Sequence, residues 1–267
     1  MATLVSGGSG GEQASSSSQS KTPPANVSGS SSARPSTSHH SLKRLQSNGM
    51  STAGEPQKPP DAKQVLDFLR DHFVHDEPIL SSLNIENISE LDTLLTDIIK
   101  DCLSCACSNV VKDQETEELI GVCLASRTTI FDEQMDRLCK YTFNDKQLQI
   151  AVEFLKYVFN RVDIAYHIDQ HGVGKPIFIA LIAVRKDRQK QGIATSMLQK
   201  CLATAKTESF DGALILSNSV RASRLMKKHF GELIARIKYR DFKGEFKDPP
   251  IIPAKPDEEL RILLKKL

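Results

Sequence analysis

The stretch from 176 to 206 constrains the fold more than any other part of this chain. Nine apolar residues, PIFIALIAV (176–184), run into RKDRQKQGIA, and then into a helical pattern that turns Ile193, Met197, Cys201 and Leu202 inward. A short uninterrupted apolar run between polar flanks reads as a strand buried on both faces. Four cations, Arg185, Lys186, Arg188 and Lys190, crowd around Gly192. The helix is expected to begin near Thr195, so the backbone N–H groups of Gln191, Gly192, Ile193, Ala194 and Thr195 point outward at its N-terminus. Unpaired N–H groups and the positive end of the helix dipole make an anion site. Small residues at 192 and 194 let a phosphate approach the backbone. The loop therefore suits a pyrophosphate, although taken alone it suits a solvated basic turn equally well. It is neither a Walker loop, having no G-K-[ST], nor a G-x-G-x-x-G turn, and no acidic residue ends a following strand to hold a ribose.

The remaining pattern places this unit in an α/β domain. Asp61 can cap a helix that carries Val65, Phe68, Leu69 and Phe73 on one face, and Glu77-Pro78 breaks it. A second helix from about Glu90 carries Leu91, Leu94, Leu95, Ile98, Ile99 and Cys102. Two strand-like runs, 104–112 and 118–127, are joined by DQETEE as a hairpin. A helix over 146–160 precedes strands at 163–168 and 176–184. Beyond the basic loop and its helix come a strand (212–216), a short helix (220–228) and strands at 233–240 and about 259–265. This order gives a mixed α/β (α+β) domain on one largely antiparallel sheet flanked by helices, not a doubly wound one. No convincing strand precedes the first helix: STAGEPQKPP has the wrong composition, so the sheet either lacks an edge strand there or uses these residues without propensity.

Residues 1–60 are mostly Ser, Gly, Pro, Thr, Ala and Gln, and cannot bury enough apolar surface to offset ordering entropy. The expected organisation is a disordered tail over 1–60 and a folded domain over 61–267. Formal net charge is +2, too small for an electrostatic case for nucleic acid or a membrane surface. No apolar run reaches membrane-helix length and the N-terminus lacks the pattern of a signal peptide. The expected location is therefore cytoplasmic, with the six cysteines as reduced thiols. Cys102, Cys105 and Cys107 lack a second ligand pair and read as core residues, with no metal. In the tail, LKRLQSNG (42–49) resembles a basophilic kinase site at Ser47, where a phosphate would recruit an Arg-lined partner. His39 and His40 lie nearby without an assigned role.

Several segments together resemble one family. VRKDRQKQGIATSML is similar to the acetyl-CoA loop of the GNAT acetyltransferase superfamily, Q/R-x-x-G-x-G/A, with Gln189, Gly192 and Ala194 at the motif positions. HFVHDEPILSSL (72–83) resembles the F-x-x-x-EPL opening of invertebrate arylalkylamine N-acetyltransferases. ELIGVCLASR and the tail from YRDFKGEF onward resemble strands of the same family. The resemblance spans about 62–267. It implies the GNAT fold, acetyl-CoA as co-substrate and a small-molecule amine acceptor such as serotonin, dopamine, tyramine or octopamine.

The resemblance also implies roles. The backbones of Ile182, Ala183 and Val184 would pair with the pantetheine arm. Gln189, Lys190, Gln191, Gly192, Ile193, Ala194 and Thr195 would cradle the pyrophosphate, and Asn218 would flank the thioester sulfur. An alkylamine has a pKa of roughly 10, so deprotonation at neutral pH costs about 4 kcal/mol and calls for a general base. The family assigns that role to the Glu of its EPL motif, here Glu77; the plainer alternative is a helix-terminating Glu-Pro on a solvated loop. The departing thiolate needs a proton or a hydrogen bond. Many members use a late-helix tyrosine, but Met226 stands at that position here and cannot donate. The invertebrate branch carries serines instead; the first falls at Asn218 or Ser219 and the second at Ala222, beside Ser223, which points to Ser219 and Ser223, with Ser217 nearby, although an N-cap or turn role suits each serine better taken alone. The pair of histidines that vertebrate enzymes carry on the strand before the loop is missing from PIFIALIAV. His72 and His75 lie close enough in sequence to Glu77 to line an amine site, and Phe73 and Phe131 are candidate aromatic walls. A polyamine or protein-amine acceptor, and a CoA-binding module without turnover, remain as alternatives.

Overall fold

The structure is a computed structural model and describes residues 54–59, 61–85, 87–127, 138–252 and 258–267. The expectations for residues 1–53, Ser47 and the two tail histidines among them, and for Phe131 lie outside the described residues. Six strands form one sheet: β1 (Asn109–Lys112), β2 (Leu119–Ser126), β3 (Pro176–Val184), β4 (Gly212–Ser217), β5 (Glu232–Lys238) and β6 (Glu259–Lys266), in the order β1-β2-β3-β4-β6-β5. Every neighbouring pair is antiparallel except β3 and β4, which run parallel.

Helices cover both faces, so β3 is buried along its whole length, as its unbroken apolar run requires. On one side lie α1 (Ala62–His72), α2 (Pro78–Ser82), α3 (Leu91–Leu103), α4 (Lys146–Arg161) and α5 (Ile164–Gln170), whose apolar side chains pack with Val122, Leu124, Phe178, Ala180 and Leu214. On the other side α6 (Ile193–Thr207) and α7 (Val220–His229) cover Ile120, Cys123, Ile177, Ile179 and Ile215. The caps behave as their chemistry dictates. Asp61 accepts from the Gln64 N–H at the start of α1, and Asp145 accepts from the Gln147 and Leu148 N–H groups at the start of α4. Cys102, Cys105 and Cys107 are buried in the core.

Three expectations change. Residues 163–168 form helix α5 rather than a strand, because the Asp163 side chain accepts from the Tyr166 N–H and starts a helix where alternating apolar residues had suggested a strand. The strand expected over 104–112 is confined to β1; a turn through 104–107 precedes it. Helix α6 begins at Ile193, two residues earlier than expected, directly after Gly192 in the left-handed conformation. The open question about the sheet edge is also answered. Gln57 bridges antiparallel to Val110, and the Gly54 N–H donates to the Lys112 carbonyl. A Cβ at Gly54 would lie 2.9 Å from that carbonyl oxygen, so backbone pairing without a side chain replaces strand propensity there.

Two irregularities in the middle of the sheet matter for the site. Leu124 faces Leu181 but Ala125 faces Ile179, so β3 carries one extra residue, a bulge at Ala180–Leu181. The pairing of β3 with β4 ends at Ile179, and β4 continues through Ser217 paired with β6 alone. The last five residues of β3, Ala180 to Val184, thus lead away from β4 and deliver the chain to the basic loop.

Candidate functional site

The loop after β3 is held by its own side chains. Gln189 donates from Nε2 to the Val184 carbonyl at 3.2 Å and accepts from Arg221 Nη1 of α7 at 3.4 Å. Arg188 donates from Nη2 to Asp113 Oδ2 at 2.7 Å. Asp113 is buried and its other oxygen accepts from the Glu115 and Thr116 N–H groups, so one carboxylate closes the β1–β2 turn and anchors the loop. Arg185 is paired with Asp187 and Glu118. Of the four cations expected to set the local field, two are therefore tied to carboxylates. Lys186 and Lys190 are exposed and make no ion pair among the described residues. Lys190 and Gly192 both have positive φ, 64° and 85°. A Cβ at Gly192 would meet no atom within 4 Å, so conformation rather than packing calls for glycine there, and the backbone faces open space.

The first turn of α6 has no side-chain cap, and the N–H groups of Ile193, Ala194 and Thr195 find no acceptor among the described residues. Gln189, Lys190, Gly192, Ile193, Ala194 and Thr195 line a cavity of about 190 Å³ together with Val184, Arg188, Arg221 and Leu225. This donor set fits a pyrophosphate: free amides, a dipole end and flanking cations. Gln191, also expected in the cradle, is exposed and does not line this cavity. The sequence reading missed Arg221, whose signal was its i,i+4 spacing from Leu225 on one helix face. The helix itself is pressed onto β2 at Gly121, where a Cβ would lie 2.9 Å from Ile193 Cγ2 and 3.0 Å from Met197 Cε.

The second cluster is assembled from distant segments. Glu77 is the N-cap of α2, and only 3% of its surface is exposed. Its Oε2 accepts from the Leu80 N–H and its Oε1 from Asn218 Nδ2, each at 2.5 Å. Burial raises the Glu77 carboxyl to about 7, partly offset by hydrogen bonds from the Leu80 and Ile79 backbone and from Asn218. Asn218 has no exposed surface, and its backbone carbonyl accepts from the Tyr239 hydroxyl at 2.7 Å. Tyr239 is held far above its usual range by burial and by the Glu77 charge, so it stays neutral. Asn218 Oδ1 is buried with no donor among the described residues. An unpaired buried acceptor costs about 1–3 kcal/mol. Glu77 also lines a small apolar cavity of about 40 Å³ with Phe73, Ile79, Leu80, Leu91 and Leu148.

The serines lie beside this cluster rather than on it. Ser219 caps α7, accepting from the Ala222 N–H at 3.0 Å, which leaves its own proton available. Ser223 is buried with its hydroxyl 3.1 Å from that of Ser217. Met226 is buried. Neither His72, which meets the Phe68 ring edge-on, nor exposed His75 lines the Glu77 cavity. Ile182, Ala183 and Val184 are where the reading put them, on the diverging end of β3. A larger cavity, about 540 Å³, lies elsewhere, lined by Asp97, Asp101, Tyr141, Ser126, Phe178 and Ala180 among others; Leu94 borders both this cavity and the one at Glu77.

Known proteins share this fold. Three solved structures align over most of the chain: a mutant agmatine N-acetyltransferase (TM-score 0.68, 14% identity, 81% of this chain and 100% of that one), arylalkylamine N-acetyltransferase 2 from Aedes aegypti (0.67, 18%, 79% and 98%) and the Drosophila melanogaster polyamine N-acetyltransferase (0.63, 15%, 77% and 95%). At these identities they share the fold. No curated protein matches the chain in sequence. The family model described as Acetyltransferase (GNAT) family matches residues 67–231, from within α1 to just past α7, and so across the loop, Glu77 and Asn218. With its donor loop, diverging central strands and matched sequence, the chain belongs to the GNAT acetyltransferase family, whose members use acetyl-CoA.

Proposed function

We propose that this protein is an amine N-acetyltransferase that transfers the acetyl group of acetyl-CoA to an arylalkylamine, with serotonin, dopamine, tyramine and octopamine as the acceptor class. The observation that carries the reading is the buried carboxyl of Glu77, raised to about 7 at the wall of an apolar cavity. A carboxyl so placed is tuned to accept a proton from an ammonium group near neutral pH. Glu77 removes that proton, and the neutral amine attacks the thioester directly in a ternary complex. The loop from Gln189 to Thr195 holds the pyrophosphate, and the backbone of Ile182 to Val184 receives the pantetheine arm. The co-substrate supplies an activated acetyl group; the chain supplies binding, orientation and proton transfer. Ser219 is the residue offered for the thiolate, because capping leaves its proton available, and Ser223 stands one turn further on. Entry of an aromatic ring requires Phe73, Leu80 and their neighbours to part, since the cavity is smaller than a ring. The folded domain over 61–267, the tail over 1–60 and a cytoplasmic location belong to the same proposal.

A second reading, a polyamine acceptor, rests on Asp97 and Asp101 in the larger cavity, whose carboxylates can take a second positive charge although Lys100 and Lys140 line the same cavity. Thiol release from acetyl-CoA by the full chain, measured with tyramine, serotonin, dopamine, octopamine, spermidine, agmatine and a lysine peptide, separates the two. Turnover with the aromatic amines alone is expected. Turnover with spermidine or agmatine alone would move the acceptor to the polyamines. No turnover with any amine, while acetyl-CoA still raises Tm, would leave a binding module.

A further inference from the structure

Asn218 was expected beside the thioester; the structure sets its side chain against Glu77. Its Nδ2 is used and its Oδ1 is not, in a residue with no exposed surface. The orientation follows from chemistry: Glu77 Oε1 is an acceptor, so the amide nitrogen must face it, and that turns Oδ1 away with nothing to accept from. The residue is also fixed on its other sides. Tyr239 holds its carbonyl, and the next residue, Ser219, caps α7. Buried amides of this kind normally have both atoms paired. The missing partner must be a hydrogen-bond donor, and it must lie close to a carboxylate tuned to take up a proton. A primary ammonium meets both conditions, with one N–H for Glu77 and another for Oδ1.

We propose that Glu77 and Asn218 together form the subsite for the acceptor nitrogen, with Asn218 Nδ2 fixing the carboxylate and Asn218 Oδ1 accepting an N–H of the amine. The inference rests on Glu77 being the base. One ammonium proton passes to the Glu77 carboxylate. A second N–H stays on Asn218 Oδ1, which orients the nitrogen and leaves its new lone pair free. That pair forms the N–C bond to the acetyl carbon as the C–S bond breaks. The sulfur leaves with the C–S electron pair, and the proton that nitrogen then sheds yields the CoA thiol. Asn218 thereby serves the amine rather than the cofactor.

The test is the pH dependence of kcat/KM for the amine, from about pH 5 to about pH 9 to span a tuned carboxyl, in the full chain, with Asn218→Ala, Asn218→Asp and Glu77→Gln beside the unaltered protein. The probe is tyramine, or spermidine if the acceptor panel favours it. Tyr239 is the titratable group whose ionisation is coupled to Glu77, and it stays neutral throughout. Asn218→Ala should lower kcat/KM for the amine roughly 10- to 100-fold, the worth of a hydrogen bond to a charged group. It should also move the acid limb to higher pH, because the carboxylate loses an N–H donor. KM for acetyl-CoA should stay within about twofold, since the pyrophosphate contacts lie on a different loop. Asn218→Asp, isosteric and so the variant to rely on if the alanine does not fold, should move the limb further up through like-charge repulsion. A role confined to packing would lower Tm and activity without moving the limb, and a role confined to Nδ2 on Glu77 would move the limb without lowering kcat/KM for the amine on the high-pH plateau. An unmoved limb in both variants, or a loss confined to KM for acetyl-CoA, overturns the proposal while Glu77→Gln still abolishes the limb. If Glu77→Gln keeps the limb, the base reading itself fails and the subsite with it.

Discussion

The donor loop and the Glu77 cluster sit at the same end of β3 and β4 but are built in opposite ways. The loop is local: the eight residues between β3 and α6 carry a glycine with positive φ, and the first turn of α6 adds the small Ala194 and its N–H groups. The cluster is non-local: Glu77 and Asn218 are 141 residues apart, and Tyr239 lies 21 beyond Asn218. The loop is exposed and lined by cations, whereas the cluster is buried and holds one carboxyl among apolar groups. A site for a large anion can be wet, because backbone amides and a dipole end act on a multiply charged ligand at the surface. A base must be dry, because burial is what brings a carboxyl into the range where it can take a proton from an amine. The same family of reaction therefore needs both kinds of construction side by side.

Substitutions can separate the two. Glu77→Gln should give the largest effect, a drop of roughly 10²–10⁴-fold in kcat/KM at neutral pH, with affinity for acetyl-CoA within about twofold by calorimetric titration; an equal loss in both would merge the regions. Its stability should move the other way. A carboxyl raised to about 7 when folded contributes stability that is full below its unfolded value of 4.5 and is lost as pH rises through 7. Glu77→Gln removes that loss, and the Asn218 amide can turn to offer Oδ1 to the new N–H₂, so Tm above neutral pH should not fall.

Gly192→Val should come next. A β-branched residue at φ 85° costs about 1–2 kcal/mol, so acetyl-CoA should bind about 5- to 30-fold more weakly, with the acid limb of the pH profile unmoved. Gly121→Ala pushes a Cβ toward the side-chain ends of Ile193 and Met197 and should destabilise the fold by about 1 kcal/mol, the low end of overpacking, because those ends can shift. A fall in Tm together with weaker acetyl-CoA binding would show that the seat of α6 on β2 sets the loop. Asp163→Ala removes the cap of α5 and should lower stability by about 1 kcal/mol with no change in either kinetic constant.

The legibility of the two regions in the sequence follows from this difference. The loop could be read because its chemistry lies within consecutive residues: apolar run, cations, Gly192, helix. Glu77 could be singled out only through the family resemblance of its segment, since Glu-Pro before a short helix is also an ordinary N-cap, a role it does fill. Nothing in NSVRAS announces that the Asn218 amide reaches back to residue 77, nor in IKYRDF that the Tyr239 hydroxyl ends on Asn218. Such contacts depend on where β4 and β6 lie in the sheet, which is tertiary information. The bulge at Ala180–Leu181 was invisible for a related reason: a strand apolar on both faces shows no break in alternation when one residue is added. The misread 163–168 segment shows the reverse, with local alternation outweighed by an equally local Asp cap.

The measurement that tests the account most directly is the pH profile of kcat/KM for an arylalkylamine in the unaltered protein and in Glu77→Gln. The base is active when ionised, so the rate of the unaltered protein should rise with pH through a midpoint of about 7. Glu77→Gln should lose that limb and rise only as the free amine fraction grows toward its own pKa, roughly 10. Two superimposable profiles would contradict the account, because the proton would then leave the amine without Glu77.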